Sequence, residues 1–306
     1  MHITITGMLG SGKSTIGNII SEVKGYELYS TGSIQRMVAQ EKGLSTLELN
    51  KLMHTVPDLD NTIDSTTVKI ANENKDKSII FDSRMAWHFV PESFKVFLTV
   101  NDYEAARRVV KADRGQVEGY TSIEDARYKL KERALTEHQR FLRIYQANYW
   151  DFDNYDLVLD ATWHDAETLA YIIMGQLETF LEEKEKVKTY LISPRSLYPA
   201  NVDKLKNLDL SKVISKDHEL EGSDDDSDDN LNPWIYFKDF YPYIIGKYKR
   251  VEEALFSQIE LIPAFYANNL ITEIDSKFNE DTIQYDQELA SKYESLGKFK
   301  YKSYPL

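Results

Sequence analysis

Short apolar runs alternate with longer segments of helical periodicity through the first half of the chain. The apolar runs have the length of buried strands, and the segments between them carry apolar residues three and four positions apart, as amphipathic helices do. The predicted strands are residues 3–6, 26–29, 78–81, 95–100 and 155–160. The predicted helices are residues 33–39, 46–53, 61–72, 103–112, 122–146 and 166–181. Short strands separated for the most part by helical segments predict a three-layer α/β domain with a parallel sheet.

The pattern changes after a charged segment, residues 182–186. We therefore predict a first domain over residues 1–184 and a smaller α+β domain over residues 185–306. An acidic loop, residues 223–229, lies in the second domain and has nothing apolar to bury. The elements predicted for this domain are strands over residues 190–192, 241–246 and 261–266 and a helix over residues 250–258.

The composition narrows the class of partner. The 306 residues are 42% hydrophobic and 28% charged, which fits two globular domains. No apolar run reaches the roughly 20 residues that cross a bilayer. Cys is absent and the net charge is −13, which repels nucleic acid at long range. We expect a cytoplasmic protein that binds small phosphorylated molecules in a local basic patch, with neither membrane nor nucleic acid as partner.

A glycine-rich turn joins the first strand to the first helix. Residues 7–15 follow the G-x-x-x-x-G-K-[ST] pattern, in which glycines let amide hydrogens converge on phosphate oxygens at a helix N-terminus. Lys13 would reach the β- and γ-phosphates of ATP, and the Ser14 hydroxyl would ligate Mg²⁺. A turn that holds no ligand is the alternative. The residues predicted to bind the nucleotide phosphates are Gly7, Gly10, Ser11, Gly12, Lys13, Ser14 and Thr15.

Asp82 and Arg84 follow the third predicted strand, at its carboxyl end. Ligands of open α/β sheets bind at that edge. Asp82 is expected to hold the Mg²⁺ shell, and Arg84 is expected to grip the phosphate of the acceptor. A turn cap for Asp82 and a surface ion pair for Arg84 remain alternatives.

Arginines are concentrated between the fourth and fifth strands. Arg114 lies in a loop, and Arg133 and Arg140 share one face of the long helix because they are seven positions apart. Cationic groups on a closing lid would neutralise charge that develops during phosphoryl transfer. A solvated helix face is the alternative.

Several short motifs occur in order along the first 180 residues. They are residues 30–32 with Arg36, residues 57–64, residues 82–86, the spaced set Arg133, Glu137, Arg140, Phe141 and Tyr145, and residues 155–158. Together they resemble the cytidylate kinases, particularly the short-lid form common in archaea. The resemblance implies a P-loop nucleoside monophosphate kinase that transfers phosphate from ATP to CMP or dCMP.

The same resemblance assigns roles to individual positions. The residues implied to bind the acceptor are Ser30, Gly32, Arg36, Asp64 and Arg84, and those implied to act in catalysis are Lys13, Arg84, Arg114, Arg133 and Arg140. Asp82 is one methylene shorter than the glutamate of the family, and Ser83 replaces a glycine. A kinase for another acceptor therefore stays an alternative. A second alternative is a regulator that senses ATP and responds through its second domain.

The second half resembles the ParB/sulfiredoxin-like domain through residues 197–199 and 241–250. That family often binds nucleotide phosphates with a Gly-His-x-Arg segment, and here the histidine is missing. Lys247, Lys249 and Arg250 leave a phosphate site open as one alternative. The other is a domain that contacts a protein partner or a second copy of the chain. The aromatic tail, which includes Tyr285, Tyr293, Tyr301 and Tyr304, is expected to serve packing or partner contact. The six histidines have no metal-ligand spacing, so no transition-metal site is expected.

Overall fold

The computed structural model describes residues 1–55, 58–112, 119–183, 187–200, 232–238, 240–267 and 283–302. Arg114, Tyr304 and the acidic loop 223–229 lie outside these ranges. So does Pro57 of the motif at residues 57–64, and the side chains of residues 58–63 are not described either. The chain divides into two compact units, Met1–Thr189 and Tyr190–Leu306. Among the described residues no helix is long and apolar enough to pass through a bilayer.

The first unit is built on parallel strands in the order β2-β3-β1-β4-β5. The strands are β1 (Ile3–Gly7), β2 (Glu27–Ser30), β3 (Ile79–Asp82), β4 (Phe94–Thr99) and β5 (Leu157–Asp160). Every residue of β1, β3 and β5 is buried. Burial on both faces explains the continuous apolar runs of β3 and β5, whereas β1 alternates isoleucine with the buried Thr4 and Thr6. The parallel α/β class predicted for this half of the chain is confirmed.

Helices connect these strands, and several begin at side-chain caps. They are α1 (Lys13–Lys24), α2 (Thr31–Glu41), α3 (Thr46–Thr55), α4 (Asp58–Glu73), α5 (Ala86–Phe89), α6 (Asp102–Lys111), α7 (Ile123–Tyr145) and α8 (Ala166–Glu182). Asn101, Ser122 and Asp165 each accept a hydrogen bond from an amide in the first turn of α6, α7 and α8. Ser45 and Glu48 exchange bonds with each other's backbone at the start of α3. Polar residues just before these four helices therefore fix where the helices start.

The second unit has its own small sheet, in the order β11-β8-β9-β7. Its elements are β6 (Thr189–Ile192), β7 (Tyr198–Pro199), β8 (Trp234–Lys238), β9 (Tyr241–Gly246), α9 (Tyr248–Phe256), β10 (Ile262–Pro263), β11 (Phe265–Tyr266) and α10 (Gln287–Gly297). Buried aromatic side chains dominate one side of its core: Tyr301 stacks on Tyr198 at 4.8 Å between ring centroids and donates its hydroxyl to the Leu197 carbonyl at 2.6 Å. Tyr293 is fully buried in the neighbouring cluster. These tail tyrosines pack inside the unit.

The single strand predicted over residues 261–266 is wrong. The structure has two short strands instead, β10 paired with β6 and β11 paired with β8. Pro263 still pairs with Leu191 in β10, so the proline does not itself end the ladder, and the change of partner comes after Ala264. The Ala264 amide then bonds the Tyr190 carbonyl before the chain turns to its next partner. Strand β8 and helix α10 were not predicted.

Candidate active site

The turn after β1 is held open for an anion by its glycines. Gly10 has φ +76°, and a Cβ there would lie 2.7 Å from the carbonyl oxygen of Ala105. Gly12 caps α1 with φ 92°, a left-handed conformation that favours glycine. No side chain caps α1 and no acidic residue lies in its first turn. The positive end of the helix is therefore left for an external anion.

Lys13 lies at the start of α1 and faces the same space. Its Nζ donates to the carbonyl oxygens of Gly7 at 3.1 Å and Met8 at 2.9 Å. Burial, and then the nearby Arg84 guanidinium, lower the pKa of Lys13 well below its usual value. Both hydrogen-bond acceptors of Lys13 among the described residues are neutral carbonyl groups, so a phosphate that enters the site would be a stronger partner.

Asp82 brings two hydroxyl groups together at the carboxyl end of β3. Its Oδ2 accepts hydrogen bonds from Ser14 Oγ at 2.5 Å and from Ser30 Oγ at 2.9 Å. β3 lies between β1 and β2 in the sheet, which explains why the end of one strand meets residues from both neighbours. The alternative of a turn cap is not what the structure shows. A carboxylate beside a hydroxyl offers the hard oxygen donors that Mg²⁺ prefers.

Arg84 and Arg133 both line the cavity and share one carboxylate. Glu137 accepts Arg84 Nε at 2.9 Å on Oε2 and Arg133 Nε at 2.8 Å on Oε1. Arg84 also donates from Nη1 to the Gly7 carbonyl at 3.1 Å, so it contacts the phosphate-binding turn directly. Burial alone would raise the pKa of Glu137, but Arg84, Arg133 and Arg140 together lower it to about 2. Arg84 is therefore part of a buried network, and the alternative of a surface ion pair is wrong.

Arg140 does not reach the cavity, which corrects the expected placement of this arginine. Its side chain is fully buried, and Nη1 donates to the backbone oxygen of Asn50 at 3.2 Å and to Asn50 Oδ1 at 2.8 Å. Helix α3 packs over the end of α7 at this point, so the seven-residue spacing that places Arg140 on the face of Arg133 puts it under α3. Arg133 lies one turn before Glu137 on α7, and it lines the cavity as predicted from its position.

The residues predicted to bind the acceptor are only partly brought together. Gly32, Arg36 and Asp64 line the cavity, and the Asp64 carboxylate accepts a hydrogen bond from the Tyr145 hydroxyl. Ser30 does not line it, and its hydroxyl binds Asp82 instead. The catalytic role predicted for Arg114 falls on a residue outside the described ranges.

These groups surround one cavity of about 620 Å³ in the first unit, a size typical of small-molecule sites. Its wall also includes groups that the sequence did not assign, among them Glu104, Glu137 and Arg108. Arg108 Nη2 donates to the Ala161 carbonyl at 2.7 Å and Nη1 to the Ser11 carbonyl at 3.4 Å, so it ties the phosphate-binding turn to the loop after β5. Arg108 lies four positions after Glu104, which is the spacing of an ion pair along a helix. This spacing could have identified Arg108 from the sequence as a residue with a partner.

The parallel sheet, the phosphate-binding turn and the buried arginines define a P-loop phosphotransferase. A profile of the cytidylate kinase-like family matches residues 2–162. The chain belongs to that family, and the prediction of an enzyme of the nucleoside monophosphate kinase class is confirmed.

Proteins with similar sequences include two archaeal proteins called cytidylate kinase. The one from Thermoplasma volcanium is 33% identical over 182 residues, which are 58% of this chain and 92% of the relative. The one from Methanothermobacter thermautotrophicus is 32% identical, and the alignment covers 55% of this chain and 99% of the relative. A third relative, the S-adenosylmethionine-dependent nucleotide dehydratase of Lacinutrix mariniflava, is 33% identical over 175 residues, but only 35% of it is covered.

Solved structures also align with this chain. A shikimate kinase from Acinetobacter baumannii gives a TM-score of 0.38 at 14% identity, covering 60% of this chain and 95% of that one. Because the TM-score is low, the fold assignment depends on the strand order and the phosphate-binding turn described above.

Proposed function

We propose that this protein transfers the γ-phosphoryl group of ATP to CMP or dCMP. The observation that carries the proposal is the Arg84 contact with the phosphate-binding turn. Arg84 leaves β3 on the side predicted to hold the acceptor, yet its guanidinium bonds the carbonyl of Gly7, the first residue of the donor's turn. Cationic groups for both substrates therefore converge on one point, where the transferred group would pass.

Each cation has a part in the transfer. Lys13 and the amides of the turn would hold the β- and γ-phosphates of ATP. Arg36 and Arg84 would hold the acceptor phosphate in line, and Arg133 would neutralise the charge that develops during the transfer. An oxygen of the acceptor phosphate attacks the γ-phosphorus, and the bond to the β,γ-bridging oxygen breaks to release ADP. The side chains supply charge and alignment, because such a transfer needs little covalent work from the protein.

Mg²⁺ fits the oxygen donors beside the turn. Ser14 and Asp82 would hold it, Ser14 directly and Asp82 through the water shell, and bound Mg²⁺ would neutralise phosphate charge. No group of three or more acidic or histidine ligands occurs in the described part of the chain. This agrees with an ion held largely by the nucleotide phosphates, the usual arrangement for Mg²⁺ in such sites.

The cavity wall also supports a cytosine acceptor. Asp64 presents a carboxylate, which accepts hydrogen bonds when ionised and cannot donate them. Cytosine offers an exocyclic amino group as a donor, whereas uracil has a carbonyl oxygen at that position. An unpaired polar group costs about 1–3 kcal/mol when it is fully buried, and Asp64 is half-buried, so we expect roughly fivefold to tenfold discrimination against UMP.

One observation favours another acceptor as a second candidate. Ser83 lines the cavity where the family has glycine, and it is buried, so a hydroxyl occupies space beside the acceptor. A panel of CMP, dCMP, UMP, AMP and non-nucleotide acceptors, each with ATP, would separate the candidates by product analysis. CDP or dCDP as the main product supports the proposal, and another product identifies the alternative acceptor. ATP binding without turnover of any acceptor would favour the sensing regulator.

For the second half we propose a ParB/sulfiredoxin-like domain over residues 185–306, attached to a catalytic domain over residues 1–184 in a cytoplasmic protein. The family match ends at residue 162, which supports catalysis by the first domain alone. Lys249 pairs with Glu253 at 3.8 Å and Lys247 precedes α9, so both alternatives for this basic cluster, a phosphate site and a partner surface, stay open.

A further inference from the structure

Helix α7 carries charged residues on a face that is buried. Arg133, Glu137 and Arg140 are spaced four and three positions apart, and their exposed fractions are 7%, 1% and 0%. Charges are costly to bury unless they are paired, so this row needs a reason to exist in a helix whose other buried positions are apolar or small. Glu137 is the centre of the row, and it is the sole carboxylate among the three.

The two oxygens of Glu137 have different partners. Oε2 accepts Arg84 from the end of β3, and Oε1 accepts Arg133 from α7 itself. Each guanidinium gives its Nε to Glu137 and its Nη1 to a further fixed group, which is the Gly7 carbonyl for Arg84 and the Thr46 hydroxyl for Arg133. Two bonds on one planar fork determine both its position and its rotation.

One nitrogen of the Arg84 guanidinium, Nη2, is available to bind a ligand. With Nε and Nη1 engaged, its Nη2 makes no hydrogen bond to any residue in the described ranges, and the residue lines the cavity. A fork fixed at two nitrogens before substrate arrives does not have to reorganise during the reaction. Without the carboxylate, two neighbouring guanidinium groups would also repel each other.

We propose that Glu137 is a positioning residue: its carboxylate holds Arg84 and Arg133 in the orientation in which they meet the transferred phosphate. This inference rests on the proposed function of the same site. Both carboxylate oxygens of Glu137 accept hydrogen bonds from the two guanidinium groups, and the arginines hold the pKa of this carboxylate well below its usual value, which makes it a poor proton acceptor. Its effect must therefore pass through the two arginines.

The kinetic test compares Glu137→Gln with Glu132→Gln in the full-length protein. Glu132 lies on the same helix and pairs with Lys51 away from the cavity, so it is a matched control. Glu137→Gln should lower kcat at least tenfold while the KM for the acceptor changes by less than threefold, because both guanidinium forks remain available to bind the acceptor and only their alignment in the reacting complex is lost. Glu132→Gln should stay within twofold of wild type. The acceptor is the one that the panel identifies, so a wrong acceptor does not affect the comparison.

Two results would overturn the kinetic part. One is a Glu137→Gln protein with kcat within threefold of wild type. The other is a rise in acceptor KM that accounts for the whole loss, which would make Glu137 a ground-state binding group. If Glu137→Gln does not fold, Glu137→Asp keeps the charge but is too short to reach both arginines, and it should show the same fall in kcat with KM retained. Wild-type kcat in that variant overturns the proposal.

A spectroscopic measurement tests the positioning without turnover. Arginine Nε–H groups bonded to a buried carboxylate exchange slowly and give resolved ¹⁵N–¹H signals, assigned here with Arg84→Lys and Arg133→Lys. Wild type and Glu132→Gln should show both signals, and Glu137→Gln should lose both. A wild type that turns over no acceptor refutes the proposed function, whereas retention of either signal in Glu137→Gln refutes the positioning role. The two failures are therefore distinguishable.

Discussion

The two units of the chain differ in which buried polar groups dominate, although each has both kinds: Tyr155 is buried in the first unit and Glu294 in the second. The first buries charges next to a cavity: Glu137 and Arg133 lie against it, and Asp82 ends a strand beside it. The second buries tyrosines whose rings pack with one another, as Tyr198 does with Tyr301. A buried ion network is weak support for stability, whereas stacked rings with bonded hydroxyls contribute directly to packing. Buried charge thus indicates function in the first unit, and buried aromatic area indicates structure in the second.

The largest effect is expected from Lys13→Ala, which should reduce turnover without reducing stability. Lys13→Ala should lower kcat by about 10²–10³-fold or more, since it removes a cation aimed at the transferred group. The melting temperature should not fall, because the ammonium is buried at a cost to the folded state. Turnover assays and thermal melts check both. A variant that retains a tenth of wild-type turnover would refute the role.

The variant Arg84→Lys tests whether Arg84 binds the acceptor or ATP. Arg84→Lys keeps the charge but loses the planar fork, so the KM for the acceptor should rise about tenfold while ATP binding changes little. Arg127→Lys is the control, since Arg127 pairs with Asp102 and does not line the cavity. A collapse of ATP affinity with an unchanged acceptor KM would place Arg84 on the wrong side of the site.

Arg133 and Arg140 test the comparison within one helix. Arg133→Lys should reduce kcat about tenfold, because the interaction belongs to the reacting complex. Arg140→Met should lower the melting temperature and leave kcat nearly unchanged, because Arg140 bonds Asn50 and lies away from the cavity. Steady-state kinetics and melting curves of both variants decide. An equal loss of kcat in the two variants at an unchanged melting temperature would support the catalytic role that the sequence predicts for Arg140.

In the second unit, Tyr301→Phe should affect stability alone. The change removes the bond to the Leu197 carbonyl and leaves a buried acceptor unsatisfied, at a cost of about 1–3 kcal/mol. Denaturant unfolding measures the loss, and Tyr128→Phe at an exposed position serves as control. Kinase activity should not change. A fall in kcat with Tyr301→Phe would show that this unit takes part in catalysis.

The smallest effect is expected from removing the second unit. A protein of residues 1–184 should fold and phosphorylate the acceptor with kcat/KM within about threefold of the full chain, because no second phosphate-binding pattern occurs after that point. Melting curves and turnover of the truncated protein test this. A folded but inactive fragment would mean that the second unit completes the site.

The first unit was largely predictable because its signals are local. Buried strands gave unbroken apolar runs, and the turn at residues 7–15 carries its chemistry in consecutive positions. Arg140 could not be placed from the same kind of signal, since helical spacing gives a face but not the neighbour that covers it. Glu137 was recognised in a spaced motif without a role, because its role depends on Arg84, which is 53 positions away.

In the second unit, strand β8 and helix α10 were missed for a related reason. Trp234–Lys238 is a short run of four apolar residues and a lysine, and its pairing with β9 and β11 is not visible in the run itself. The break between β10 and β11 likewise depends on which partner each half finds. Tertiary contacts decide such short elements more than propensity does.

The close approach of Gly10 to Ala105 has a consequence for mutational tolerance. A Cβ at position 10 would meet main-chain atoms, the carbonyl oxygen of Ala105 at 2.7 Å and its Cα at 2.9 Å. A side chain in the way could be trimmed by a second substitution, but a peptide group is common to every amino acid. In a library that randomises both positions, glycine should therefore be selected at position 10 whatever residue occupies position 105, and a screen for second-site suppressors of Gly10→Ala there should return none.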